Sequence, residues 1–119
     1  LSTHPDYNCP VEGGFIPDSG SICALVTAST GKTPRYFGKP YEDTLQIIEE
    51  YTGVSREDMV VVGDRLYTDI ALGARHGVTS VLVLSGETTR EDLAKSDIQP
   101  SVVVDHVGCL LTNIEEEKQ

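Results

Sequence analysis

The chain has 119 residues, enough for one domain with its own core, and 39% apolar with 24% charged residues describes a folded rather than a disordered protein. A formal net charge of −10, with the nine Lys and Arg scattered rather than clustered, repels nucleic-acid phosphates and anionic lipid headgroups. No apolar run reaches the roughly 18 residues of a spanning helix and no basic-then-apolar leader is present, so no nucleic-acid or membrane partner is expected and the expected location is cytoplasmic.

Residues 1–20 are rich in Pro, Gly, Asp and Asn without periodicity, which reads as loop with one short extended piece. The chain starts on Leu1 and continues as a polar, turn-like string, so a fragment or processed chain is expected. Ser19 or Ser21 is the expected cap of a helix through Ile22, Ala24, Leu25 and Ala28 that stops near Gly31. Residues 35–37 form a brief strand candidate. Pro40 suits the first turn of the next helix, where its missing N–H goes unused, and Tyr41, Leu45, Ile48 and Thr52 share one face up to Gly53.

Ser55 and Asp58 resemble a capping pair, followed by a short turn into a strand at 59–62. That strand has no alternation, the pattern of one covered on both faces in a parallel sheet. Residues 69–76 read as a helix stopped by Gly77, and 81–84 as a second continuous apolar strand, together a βαβ unit. Thr88 or Thr89 caps a short helix through Leu93, Pro100 breaks the chain, 102–104 is a third strand and 107–114 a final helix. The class is α/β with a parallel sheet. Cys9, Cys23 and Cys109 are odd in number and widely spaced, which reads as reduced thiols, and the acidic run 115–117 as a solvated tail.

In open parallel sheets ligands bind beyond the carboxyl ends of the strands. Asp64 follows the apolar run with one glycine between, which puts its carboxylate at that rim, and Asp69 lies about one turn on. Two neighbouring carboxylates repel unless a cation or proton lies between them, and Mg²⁺, which keeps several waters and shares its shell with phosphate, is the natural candidate. For Asp69 a plain helix-capping role stands beside metal support. Lys39, in Gly38-Lys39-Pro40, adds a positive charge just before a helix N-terminus; this pair favours an anion, phosphate above all, against the alternative of an ordinary surface lysine. His76 reads as structural at a helix end, and His4 as a substrate contact.

The runs "GKPY" and "VVVGDRLYTDIALGARHGVTSVLVLSGET" resemble the later motifs of the haloacid dehalogenase (HAD) superfamily, specifically its subfamily IIA of NagD-like or 4-nitrophenylphosphatase-like phosphatases. The opening "THPDYNCPVEGGFIPDSGSICALVTASTGKTP" resembles the end of that subfamily's mobile cap. The resemblance implies a HAD-like Rossmannoid core of three α/β/α layers, with residues 1–37 as the end of the cap and 38–119 as the C-terminal part of the core. It implies that Lys39 stabilises a phosphoaspartyl intermediate, that Asp64 is a direct Mg²⁺ ligand, and that Asp69 supports the metal shell, often through water. Thr3, His4 and Asp6 fall where family members commonly read Thr-Asn-x-Asp beside the substrate, His4 departing from the asparagine.

In that family an aspartate of a DxDG-type motif attacks phosphorus, and no Asp-x-Asp occurs anywhere in this chain. The implied activity is hydrolysis of small phosphate monoesters, of the sugar phosphate or 4-nitrophenyl phosphate type, by a longer parent; the 119-residue chain alone is expected to be inactive. The competing reading is a non-catalytic metal- or phosphate-binding module that needs a partner chain. A receiver-like signalling domain is disfavoured because Lys39 precedes both aspartates. The strand at 59–62, without a neighbour on one side, is expected to drive self-association or pairing with the missing N-terminal half.

Overall fold

The computed structural model describes residues 1–111. The acidic run at 115–117 and the end of the expected helix at 107–114 lie outside the described residues; within them, Leu110 N–H donates to the Val107 carbonyl and Leu111 N–H to that of Gly108.

The first twenty residues hold more structure than their composition announces. Strands β1 (Asn8–Val11) and β2 (Gly14–Pro17) form an antiparallel hairpin, turned at Gly13 with φ of 79°, a value glycine adopts without strain. Helix α1 (Ser19–Thr30) follows, capped by Asp18 rather than by either serine: the Asp18 carboxylate accepts from Ser19 N–H. The serines bond elsewhere, the Ser19 hydroxyl to that of Ser2 and the Ser21 hydroxyl to the Tyr7 carbonyl. Gly31 closes α1 in the left-handed conformation. In place of a strand at 35–37 there is one parallel bridge, Ser2 with Tyr36.

Helix α2 (Asp43–Thr52) ends at Gly53 as its sequence pattern requires, but begins three residues after Pro40. Pro40 lies instead in a turn closed by Tyr41 N–H donating to the Gly38 carbonyl, and the Lys39–Pro40 peptide bond is cis. Of the expected face, Leu45 is 1% exposed and enters the core with Met59, Leu72 and Val78.

A 3₁₀ turn (Arg56–Asp58) leads into β3 (Val60–Gly63), the first strand of a parallel sheet in the order β3-β4-β5, with β4 at Thr79–Val83 and β5 at Val102–Val104. Val62 faces Val81 across the first pair and Leu82 faces Val103 across the second. β4, in the middle, carries the fully buried Ser80 and Leu82. β3 is an edge strand, and its expected double cover is not present: Val60 is 58% and Val62 40% exposed, so one face of the strand is open while Val61 packs on the core.

Between β3 and β4 the chain makes a π turn (Leu66–Ile70) and helix α3 (Ala71–His76), stopped by Gly77 at φ of 72°. Gly73 lets α3 lie close on the sheet, since a Cβ there would come within 2.7 Å of Ser80. After β4, Thr89 caps α4 (Arg90–Lys95) in a reciprocal capping box with Asp92. No helix among the described residues is long and apolar enough to cross a membrane.

Candidate functional site

Four segments distant in sequence meet at the carboxyl ends of β3 and β4. Gly63 ends β3, Asp64 and Arg65 open its loop, and Asp69 sits at the far side of the π turn. Asp69 does not cap α3, whose first residue follows it by two; its Oδ2 accepts from Arg65 N–H at 3.3 Å, closing the loop on itself. Its Oδ1 lies 2.5 Å from Lys39 Nζ. The Asp69 side chain is 6% exposed and that of Lys39 52%, so a buried carboxylate is compensated by an ammonium that still reaches solvent.

Asp64 is held from the loop after β4. Its Oδ2 accepts from Glu87 N–H at 2.8 Å, and its carbonyl accepts both the Thr88 N–H at 3.2 Å and the Thr88 hydroxyl at 2.5 Å. The two threonines expected to compete for one cap thus divide the work: Thr89 caps α4 and the buried Thr88 anchors Asp64. Glu87 also pairs with Arg65 Nε at 2.7 Å, tying the two loops together. Tyr67, then Glu87, push the Arg65 pKa above its ordinary value.

Two glycines make room for the carboxylates. A Cβ on Gly63 would stand 2.2 Å from Asp69 Cγ, and one on Gly86 would stand 2.2 Å from Asp64 Oδ2. These contacts explain the glycine at the end of β3 and the one in the loop after β4.

A cavity of about 300 Å³ opens here, lined by Lys39, Asp64, Arg65, Thr68 and Asp69 together with His4, Asp6 and Asp18. All four residues singled out from the sequence, His4, Lys39, Asp64 and Asp69, therefore line one cavity. His4 Nε2 stands 3.4 Å from Asp18 Oδ1 and its Nδ1 3.8 Å from Asp6 Oδ2. Asp18 and Arg65 went unmarked as site residues. The Pro-Asp-Ser run before α1 was a legible cap signal, whereas nothing in the sequence places that cap beside Lys39.

Asp64 Oδ1 takes no hydrogen bond among the described residues, so Asp64 could hold a hard divalent cation directly. Asp69, with both oxygens engaged, could support such a cation through water. No three His, Cys, Asp or Glu side chains among the described residues cluster tightly enough to hold a metal by themselves. The donor set present fits Mg²⁺, which retains waters and takes few protein ligands.

Residues 36–110 match the HAD-hydrolase-like family. The chain belongs to that family. An acid sugar phosphatase of Staphylococcus haemolyticus is 34% identical over 119 residues, all of this chain but 45% of that protein. A 4-nitrophenylphosphatase from Thermotoga maritima superposes with a TM-score of 0.80 at 48% identity, over 92% of this chain and 42% of that one. A glycerol phosphate phosphatase from Mycobacterium tuberculosis, solved in complex with magnesium, gives a TM-score of 0.77 at 29% identity, over 90% of this chain and 32% of that one. This HAD-like chain thus spans less than half the length of each of these relatives.

Proposed function

We propose that this HAD-like chain supplies the charge-handling part of a phosphomonoester hydrolase site, acting on small phosphate monoesters within a longer protein. The observation that carries the reading is the Lys39–Asp69 pair beside Asp64 in one cavity at the strand ends. Phosphoryl transfer leaves little covalent chemistry for the protein beyond the attack itself, so positioning and electrostatic stabilisation dominate.

Lys39 carries the cation. Its ammonium, fixed by Asp69, offers its remaining donors to phosphoryl oxygens, whose charge is redistributed as the bond to phosphorus breaks. Asp64, locked by Glu87 and Thr88, would hold Mg²⁺ directly, and Asp69 would support it through water. When bound, Mg²⁺ supplies the positive charge that offsets the phosphoryl oxygens. His4, which lines the same cavity, is proposed to contact the substrate.

The attacking carboxylate belongs, in this reading, outside these residues, consistent with the absence of any Asp-x-Asp and with the share of its relatives that the chain spans. The names of the relatives, acid sugar phosphatase and 4-nitrophenylphosphatase, support the substrate class. The open edge and face of β3 support pairing with the rest of the longer protein, or self-association of the chain alone. The missing Asp-x-Asp also favours, as second reading, a metal- or phosphate-binding module completed by a partner chain. The two separate on one experiment: the longer protein releases phosphate from 4-nitrophenyl phosphate with Mg²⁺ in the first, whereas in the second it binds Mg²⁺ without turnover.

A further inference from the structure

The segment running from the π turn to the end of α3 holds the Lys39 turn at two points. At the N-terminal side of the helix, Asp69 Oδ1 takes the Lys39 ammonium; at its last residue, His76 Nε2 lies 3.0 Å from the carbonyl oxygen of Pro40. The two grips fall on adjacent residues of one turn, and they come from Asp69 in the π turn before α3 and from His76 at the last residue of α3, seven positions apart in the chain. Lys39 is thus held at its ammonium by Asp69, and the backbone next to it is held by His76.

A lysine has four rotatable bonds, and the placement of its Nζ is only as well defined as its backbone and its terminal partner make it. Asp69 supplies the terminal partner. The backbone is fixed on one flank by Gly38, whose φ of 106° brings it so close to the Thr3 carbonyl that a Cβ would lie 2.5 Å from that oxygen. On the other flank the hold is His76. Because a carbonyl oxygen only accepts, Nε2 must carry the proton of this bond, so the ring acts as a directional donor.

We propose that His76 is a positioning residue for Lys39: its hydrogen bond to Pro40 sets the backbone from which the ammonium reaches both Asp69 and the phosphoryl group. The inference rests on the reading of Lys39 given above. It assigns His76 a part in turnover rather than in helix termination alone, although it touches no reacting atom.

The test uses the longer protein that contains this chain, with 4-nitrophenyl phosphate and Mg²⁺, in wild type, His76→Phe and His76→Gln. Phe keeps a ring and removes the donor; Gln restores an N–H within reach. The expected result is a kcat lowered about ten- to a hundredfold in His76→Phe with KM nearly unchanged, and recovery of most of that loss in His76→Gln. A crystal structure of His76→Phe is expected to have Lys39 Nζ displaced from Asp69. Equal losses in the two variants, an unchanged kcat in His76→Phe, or an intact Lys39–Asp69 pair in its crystal structure would each overturn the assignment. A wild type that turns over no phosphomonoester refutes the proposed function instead, and the crystal structure still decides the role of His76.

Discussion

Lys39 Nζ and Asp69 Oδ1 are 2.5 Å apart, joining residues thirty positions distant in the chain at the mouth of one cavity. The pair is asymmetric, with the Asp69 side chain buried and the Lys39 side chain half-exposed, so removing either partner has a different consequence. Loss of the lysine strands a buried charge. Breaking a buried pair costs about 3–5 kcal/mol, and screening of the half-exposed ammonium reduces the expected cost of Lys39→Met to about 1–3 kcal/mol. Adding Asp69→Asn to Lys39→Met should recover part of that loss. Denaturant melts of the two single variants and the double variant measure the coupling.

Gly63 and Gly86 are spacers for the two carboxylates. Gly63→Ala drives a methyl group into the buried Asp69 carboxylate and is expected to destabilise the chain by about 1–3 kcal/mol, as overpacking does. Gly86→Ala meets Asp64 from Cβ to Oδ2, but at a half-buried rather than a buried side chain, so it should weaken Mg²⁺ binding in calorimetry with a smaller effect on the melt.

Asp92 is held below the ordinary carboxylate pKa by the side-chain hydrogen bond from Thr89 and then by the Thr89 N–H. A depressed folded-state pKa means that the capping interaction contributes stability above the unfolded-state pKa and loses it as pH falls through the folded value. A carbon-detected NMR titration should place the Asp92 midpoint below that of a free aspartate, and Thr89→Ala should move it up.

The open edge of β3 gives a prediction about the isolated chain. Val60 and Val62 expose apolar surface beside an unpaired edge, so light scattering should record an average mass that rises with concentration, and Val60→Lys should suppress the rise. A monomer at every concentration would count against this account of the edge.

Much of the core was legible because its signals are local. Gly53 and Gly77 end α2 and α3 where left-handed glycines are needed, and β5 occupies the residues its valines indicate. The hairpin β1-β2 was not legible, since its residues are mostly exposed and Pro10 interrupts any alternation. The helix expected from Pro40 starts later because that segment turns back under Gly38. At the site, Asp64 at a strand end follows from the pattern of one βα loop, and the Glu87 and Thr88 bonds that lock it come from the next loop along the sheet. The Lys39–Asp69 and His76–Pro40 contacts span separations of 30 and 36 residues, which no local periodicity encodes.

The proposed phosphatase site depends on both Asp64 and Lys39. Its most direct measurement is phosphate release from 4-nitrophenyl phosphate by the longer protein in wild type, Asp64→Asn and Lys39→Ala, with Mg²⁺ present and after chelation. Mg²⁺-dependent turnover is expected in wild type, lost in Asp64→Asn and nearly lost in Lys39→Ala. Turnover by Asp64→Asn at the wild-type rate, with the same dependence on Mg²⁺, would contradict it.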